Sequence, residues 1–304
     1  MRRVTRDKVV YLFSKAIPPV LTVDPGETLL LETLDARSGA MKTIEDFWSY
    51  ERDPSHLNPV TGPVAVRGAA PGDTLVIEID GIELDRRGWT FVSPEEGIAA
   101  DEVSSPQATF VAIEDDLAIF APNIRLPIRP MVGTIGTCPA DREIGTIHPG
   151  PHGGNLDIPA VAVGSRVYLP VMVDEALFCL GDVHAAQGDG EITGTAIEIS
   201  AQVRVRVDLI KERAWPRPWI ETSESWTSRG HAPTLEDAGR LAVVDMANML
   251  VEILSISKEE AFLLIGSAGD LRLGQAAMIT GIDVTAWVAF PNLGAERPQF
   301  LAVE

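Results

Sequence analysis

Ala196-Ile197-Glu198-Ile199-Ser200-Ala201-Gln202-Val203-Arg204-Val205-Arg206-Val207-Asp208-Leu209 alternates apolar and polar side chains without a break. Ile197, Ile199, Ala201, Val203, Val205, Val207 and Leu209 share one face of an extended chain, and Glu198, Ser200, Gln202, Arg204, Arg206 and Asp208 share the other. Strict period-two alternation is what a strand needs when one face lies on a core and the other meets polar surroundings. The stretch therefore predicts one long, half-buried strand.

Outward from it, most of residues 1–215 read the same way. Thr28–Glu32, Thr74–Asp80, Ala108–Glu114, Arg166–Val173 and Val9–Phe13 are short apolar runs bounded by Gly and Pro, and each predicts a strand. Many strands with few helices predict a mainly β fold, a sandwich. The pattern changes after Trp215-Pro216-Arg217-Pro218-Trp219. Thr234 with Asp237 three residues on is a capping-box variant. Leu235, Ala238, Ala242, Met246, Met249 and Ile253 then keep the 3–4 spacing of one apolar helix face. Ser257-Lys258-Glu259-Glu260 opens a second helix running through Ile265 to Gly266 or Gly269, and Val284–Phe290 is a further strand. Two regions are expected: a β-sandwich over 1–215 that carries the active site, and a smaller α+β region over 216–304 packed on it.

Composition narrows the function. A chain of 304 residues with 45% hydrophobic and 23% charged residues can bury a large core and reads as soluble and globular. Its net charge of −19 repels a phosphate backbone, so no nucleic-acid partner is expected. Two cysteines, Cys138 and Cys179, suit buried thiols in a reducing compartment. The basic start Met1-Arg2-Arg3 is not followed by an apolar signal core, and Val161–Leu180 is interrupted by Arg166, Asp174 and Glu175. Neither a signal peptide nor a membrane span is expected, which makes the cytoplasm the expected location.

The chemistry concentrates in residues 148–198, where three of the five histidines stand among carboxylates and glycines. Imidazole with carboxylate is a donor set for zinc and similar divalent ions. Asp182 and His184 are two residues apart, so an extended segment points both to one side. The short loop 185–190 brings Glu198 alongside them in a hairpin-like pairing, giving three ligands and an open position; the alternative for Glu198 is a solvated strand carboxylate. His152 and Asp157, in the Gly-rich turn, either complete the shell, orient a ligand, or serve as a hydrogen-bonded histidine and a turn-former. Asn155 and Gln187 are candidates for binding substrate. Glu191, presented between glycines and the strand, is the candidate general acid–base, with Glu198 or Asp189 as substitutes. His148 and His56 are weaker candidates, and His231 reads as a surface residue.

The strings Pro151-His152-Gly153-Gly154-Asn155-Leu156-Asp157 and Gly181-Asp182-Val183-His184-Ala185-Ala186-Gln187-Gly188-Asp189-Gly190-Glu191 resemble the acetamidase/formamidase family. So do Leu31-Glu32-Thr33-Leu34-Asp35-Ala36, Asn58-Pro59-Val60-Thr61-Gly62-Pro63 and Pro71-Gly72-Asp73-Thr74-Leu75 upstream. The resemblance implies a jelly-roll-like arrangement, a metal-dependent hydrolase releasing a carboxylate and ammonia from a small linear amide, and a homo-oligomer. Zinc is the expected ion, with manganese or calcium as alternatives if oxygen ligands dominate. Relatives often carry histidine directly before the first proline of the Asn58 string, so Asn58 is a departure that bears on that position's role or on substrate range.

Alternatives on the same site are a lactam or larger amide as substrate, or a non-catalytic β-sandwich binding protein whose metal is structural. A nitrilase-type Cys-Glu-Lys set would need Cys179, yet none of the five lysines is near it in sequence. The Gly/Ser-rich run of Ser-Lys amidases and the nucleotide-binding glycine motifs are absent.

Overall fold

The computed structural model describes residues 1–50 and 53–293. It is mainly β, with 42% strand and 14% helix, as the alternating runs predict. The quoted stretch forms the strand Ala201–Ile210 at the heart of a nine-stranded sheet. This strand pairs antiparallel with Thr28–Thr33, placing Val203 opposite Leu31, and with Thr74–Leu84, placing Val207 opposite Ile77. Ala201, Val203, Val205 and Val207 of its apolar face are buried and Leu209 is half-buried, whereas Arg204 and Arg206 are exposed. Residues 196–200 continue the extended path outside the ladder, joined by isolated bridges from Glu198 to Trp89 and to His184.

A second sheet is ordered Pro149–Gly150, Gly153–Asn155, Met131–Gly136, Phe178–His184, Val60–Val66, Val9–Val10, with Leu21–Val23 pairing off this path. The main core joins the two sheets: Leu29, Leu31, Ile77, Val203 and Val205 from the first pack in one cluster with Val64, Val132, Ile135, Leu180 and Val183 from the second. Burying such side chains contributes about 1.5–3 kcal/mol each, and a sandwich is the solution when two half-apolar sheets must both hide a face. Arg87–Val92, Gln107–Glu114, Leu117–Ala121 and Ile124–Pro127 form a further four-stranded sheet.

Beyond residue 215 the sheet continues. Trp219–Glu221, Ser225–Ala232, Val284–Pro291 and Asp270–Leu273 extend the nine-stranded sheet, so the two regions read from sequence share one sheet across that boundary. The helix Leu235–Leu254 starts at Thr234, whose side chain accepts from Asp237 N–H at 3.1 Å. It buries Ala238, Ala242, Met246 and Met249 and packs on Ser225–Ala232. A Cβ at Gly230 would stand 2.7 Å from Leu241 Cβ, so glycine is what allows that close approach. The helix Lys258–Ala268 opens on the Ser257–Glu260 capping box. Among the described residues, no helix is long and apolar enough to cross a membrane.

Candidate metal centre and catalytic cavity

His184 ends the strand Phe178–His184, and its Nε2 lies 3.5 Å from Asp182 Oδ1 and 3.3 Å from Glu198 Oε2. The two-residue spacing thus does put Asp182 and His184 on one side, and the bridge from Glu198 to His184 brings in the third group. Glu198 is buried rather than solvated. Two donor sets share His184: Asp182, His184 and Glu198 form one, and Asp157, His184 and Glu191 the other. The donor atoms within each set lie within 4.8 Å of one another.

A chain of hydrogen bonds fixes which imidazole nitrogen is free. The Asp157 backbone carbonyl can only accept, and Gln187 Nε2 donates to it at 2.7 Å. That turns Gln187 Oε1 toward His184 Nδ1, 2.8 Å away, so Nδ1 carries a proton and Nε2 is the nitrogen that faces the carboxylates, protonated toward them without an ion and able to offer its lone pair to one. Gln187, expected to touch substrate, instead spends both ends of its amide orienting His184. Asn155 is committed as well. Its Nδ2 donates to Asp157 Oδ2 at 2.6 Å, and its Oδ1 accepts from Thr134 Oγ1 at 2.6 Å and Asn58 Nδ2 at 3.2 Å. Asp182 Oδ2 accepts from Asn58 Nδ2 at 2.7 Å and Thr134 Oγ1 at 3.1 Å. Asn58, the departure noted in the sequence, therefore reaches a candidate ligand directly.

After these bonds, Asp157 Oδ1, Asp182 Oδ1 and Glu198 Oε2 remain buried without a hydrogen-bond partner. Buried, unpaired carboxylate oxygens are costly unless a cation meets them. Four buried carboxyl groups surround one imidazole, and the electrostatics register the imbalance. Burial, reinforced by Asp182, pushes Asp157 up to about 8. Burial and the Asp157 charge hold Glu191 well above the usual carboxyl range, and burial raises Glu198 despite the pull of His184. Burial alone would lower His184, but Glu198 and Asp182 outweigh it and raise it well above the usual imidazole value. A divalent cation supplies the charge this donor set lacks, so the residues fit such an ion. At Gly133 a Cβ would stand 2.7 Å from Asp157 Oδ1 and 2.9 Å from Asp182 Oδ2; glycine leaves that cradle open.

The backbone is strained at the same place. Asn58, Asp157, Asp182 and Glu191 have φ of 48°, 49°, 56° and 39°, in the left-handed region that costs a non-glycine residue about 1–3 kcal/mol and clusters at functional sites.

A cavity of about 70 Å³ opens on the centre. Its lining combines Asn58, Asn155, Asp182, Glu191, Glu198 and Gln275 with Arg37 and Glu96 and with the apolar Leu57, Trp89, Ile147, Ile279 and Ile282.

Other sequence candidates lie elsewhere. His152 belongs to neither donor set. It packs edge-on against Phe13 with ring centroids 4.8 Å apart, and burial, with the Arg229 charge nearby, pushes it down to about 3; the Gly-rich turn directs the ring away from the centre. Asp189 is exposed and pairs with Arg272 at 3.6 Å. His231 is not a surface residue: it is half-buried beside Arg229, and burial pushes it down to about 3. The Cys179 thiol is buried and pushed up by that burial, unsuited to nucleophilic attack. Thr134, Gly133 and Gln275 were missed, because nothing local marks a threonine, a glycine or a glutamine on distant segments as facing this centre.

The sequence pattern of the Acetamidase/Formamidase family matches residues 5–145 and 140–289. The formamidase of Methylophilus methylotrophus is 26% identical over 254 residues, a match spanning 64% of this chain and 62% of that enzyme. The chain thus spans under two thirds of the length of that relative. The crystal structure of an acetamidase from Bacillus halodurans superposes with a TM-score of 0.90 at 36% identity, covering 95% of this chain and 97% of that one. An acetamidase from Yersinia enterocolitica superposes with a TM-score of 0.88 at 29% identity, covering 97% and 94%. Matched across both sheets and through the helical region by pattern and by fold, this chain belongs to the acetamidase/formamidase family.

Proposed function

We propose that the protein is a metal-dependent hydrolase of a small linear amide of the formamide or acetamide type, releasing a carboxylate and ammonia. The observation that carries this reading is the convergence of His184 Nε2 with unpartnered oxygens of Asp182 and Glu198, two residues that line a small cavity. Asp182, His184 and Glu198 are the residues that would hold the ion, and their mixed imidazole–carboxylate character favours zinc. When bound, such an ion polarises the amide carbonyl and makes water beside it more acidic.

The chain's own residues do the rest. Gln187 keeps the His184 proton on Nδ1. Asn58 and Thr134 hold Asp182, and Asn155 holds Asp157. Glu191 is the general acid–base. Its buried carboxyl stands with His184 and Asp157, donor atoms within 4.8 Å of one another, placed to take the proton of the attacking water and hand it to the departing nitrogen. Leu57, Trp89, Ile147, Ile279 and Ile282 keep bulk water out and receive the acyl group. A space of about 70 Å³ favours an amide of a few heavy atoms over a larger one. The test is ammonia release from formamide, acetamide, propionamide and a lactam, with and without added zinc. Absence of turnover on every amide with zinc loaded refutes the proposal.

A further inference from the structure

Among the described residues, Asn58, Asn155 and Gln275 are the carboxamide-bearing residues that line the cavity. The first two are committed to the network around Asp182 and Asp157. Gln275 differs. It is 4% exposed, and among the described residues its carboxamide has no hydrogen-bond partner. A carboxamide without a protein partner on a cavity wall is free to pair with what enters the cavity.

The backbone around Gln275 is held firmly. Its N–H donates to Thr285 Oγ1 at 2.6 Å, and its carbonyl accepts from Thr285 N–H at 2.9 Å. Thr285 Oγ1 in turn donates to the Leu156 carbonyl at 3.1 Å. Ala276 N–H donates to the Gly190 carbonyl at 2.7 Å. A Cβ at Gly274 would stand 2.7 Å from the Leu156 carbonyl, so glycine is what lets this loop close on the segment. Gln275 is thereby anchored to the two segments that carry Asp157 and Glu191. A backbone held this firmly fixes where the Gln275 side chain starts.

We infer that Gln275 is the residue that binds the substrate's amide group, an inference that rests on the amide-hydrolase reading. A carboxamide has an acceptor oxygen and an NH2 donor, and a primary amide has the same pair. The two can form a pair of antiparallel N–H···O bonds. This pairing uses the substrate N–H on the same side as its carbonyl oxygen. In a trans N-methyl amide that position holds the methyl group, and the pair is lost. The site therefore selects primary amides over N-substituted amides, because a buried polar group built to pair rejects the analogue that leaves it unpaired.

The test compares the zinc-loaded wild type with Gln275→Leu and Gln275→Glu. The measurements are kcat/KM for acetamide and for N-methylacetamide, calorimetric Kd for both, zinc content and Tm. Gln275→Leu is expected to lose about 10- to 100-fold on acetamide with little change on N-methylacetamide, so that the preference for the primary amide collapses. Gln275→Glu, which keeps the shape but loses the NH2 donor, should fall in the same direction. Zinc content should not move. Equal losses on both amides, no loss on either, or loss of zinc from Gln275→Leu overturns the inference. Gln275-dependent binding of acetamide without ammonia release refutes the hydrolase reading and leaves this one standing. A wild type that neither binds nor hydrolyses acetamide overturns both.

Discussion

Replacing Gln187 by Met tests the centre through a residue that touches neither the ion nor the substrate. The thioether fills similar volume, but removes the acceptor 2.8 Å from His184 Nδ1 and the donor 2.7 Å from the Asp157 carbonyl. His184 then loses the bond that fixes its tautomer and ring orientation. Partners of this kind are worth about 10- to 100-fold in metal affinity, or about 1.4–2.8 kcal/mol at 1.4 kcal/mol per decade. Two buried polar groups are also left unpaired, at about 1–3 kcal/mol each before relaxation. The metal-free protein should therefore melt lower as well. Zinc affinity is measured by competition with a chromophoric chelator, and stability by thermal melting of the metal-free protein. Gln187→Glu separates the two effects, because it keeps an acceptor for Nδ1–H while losing the donor to Asp157; it should retain most of the zinc affinity and still be destabilised. A Gln187→Met protein that binds zinc as tightly as the wild type would refute the role assigned to this side chain.

Dialysis against a strong chelator should abolish amidase activity and zinc should restore it, whereas His184→Ala should lose bound metal and turnover together; full activity in a demonstrably metal-free preparation rules the mechanism out. Glu191→Gln should keep metal and fold while kcat falls about 10²-fold or more, and Glu198→Gln should lose metal affinity; metal content and kcat on both variants reverse the assignment if the pattern is the opposite. Gly133→Ala should bind metal weakly and melt lower, since the added methyl would crowd Asp157 Oδ1 at 2.7 Å, Asp182 Oδ2 at 2.9 Å and the Asp182 backbone carbonyl at 2.8 Å; metal content and Tm equal to the wild type would show that the cradle tolerates it.

Local pattern was enough for the elements. The alternation through Leu209 determined a strand whose apolar face is buried, and Thr234 and the Ser257–Glu260 box determined where two helices begin. These signals are legible because side-chain period and caps act between near neighbours. The Asp182–His184 pair was legible from its two-residue spacing, although the left-handed φ of 56° at Asp182 departs from the regular strand that the spacing assumes.

Tertiary structure decided the rest, because it depends on which distant segments meet. Thr134 and Asp182 are far apart in sequence, and only the antiparallel register of Met131–Gly136 with Phe178–His184 makes them partners. His152 and Asp157 looked equivalent in the Gly-rich turn, yet the turn sends one ring against Phe13 and one carboxylate to the centre. Gln187 is close to His184 in sequence, but its role follows from the carbonyl it meets at Asp157. Gln275 carries no motif at all; the close approach permitted by Gly274 and the Thr285 bonds bring it to the cavity. A residue's type sets what it can bind, and the packing of remote segments sets what it faces.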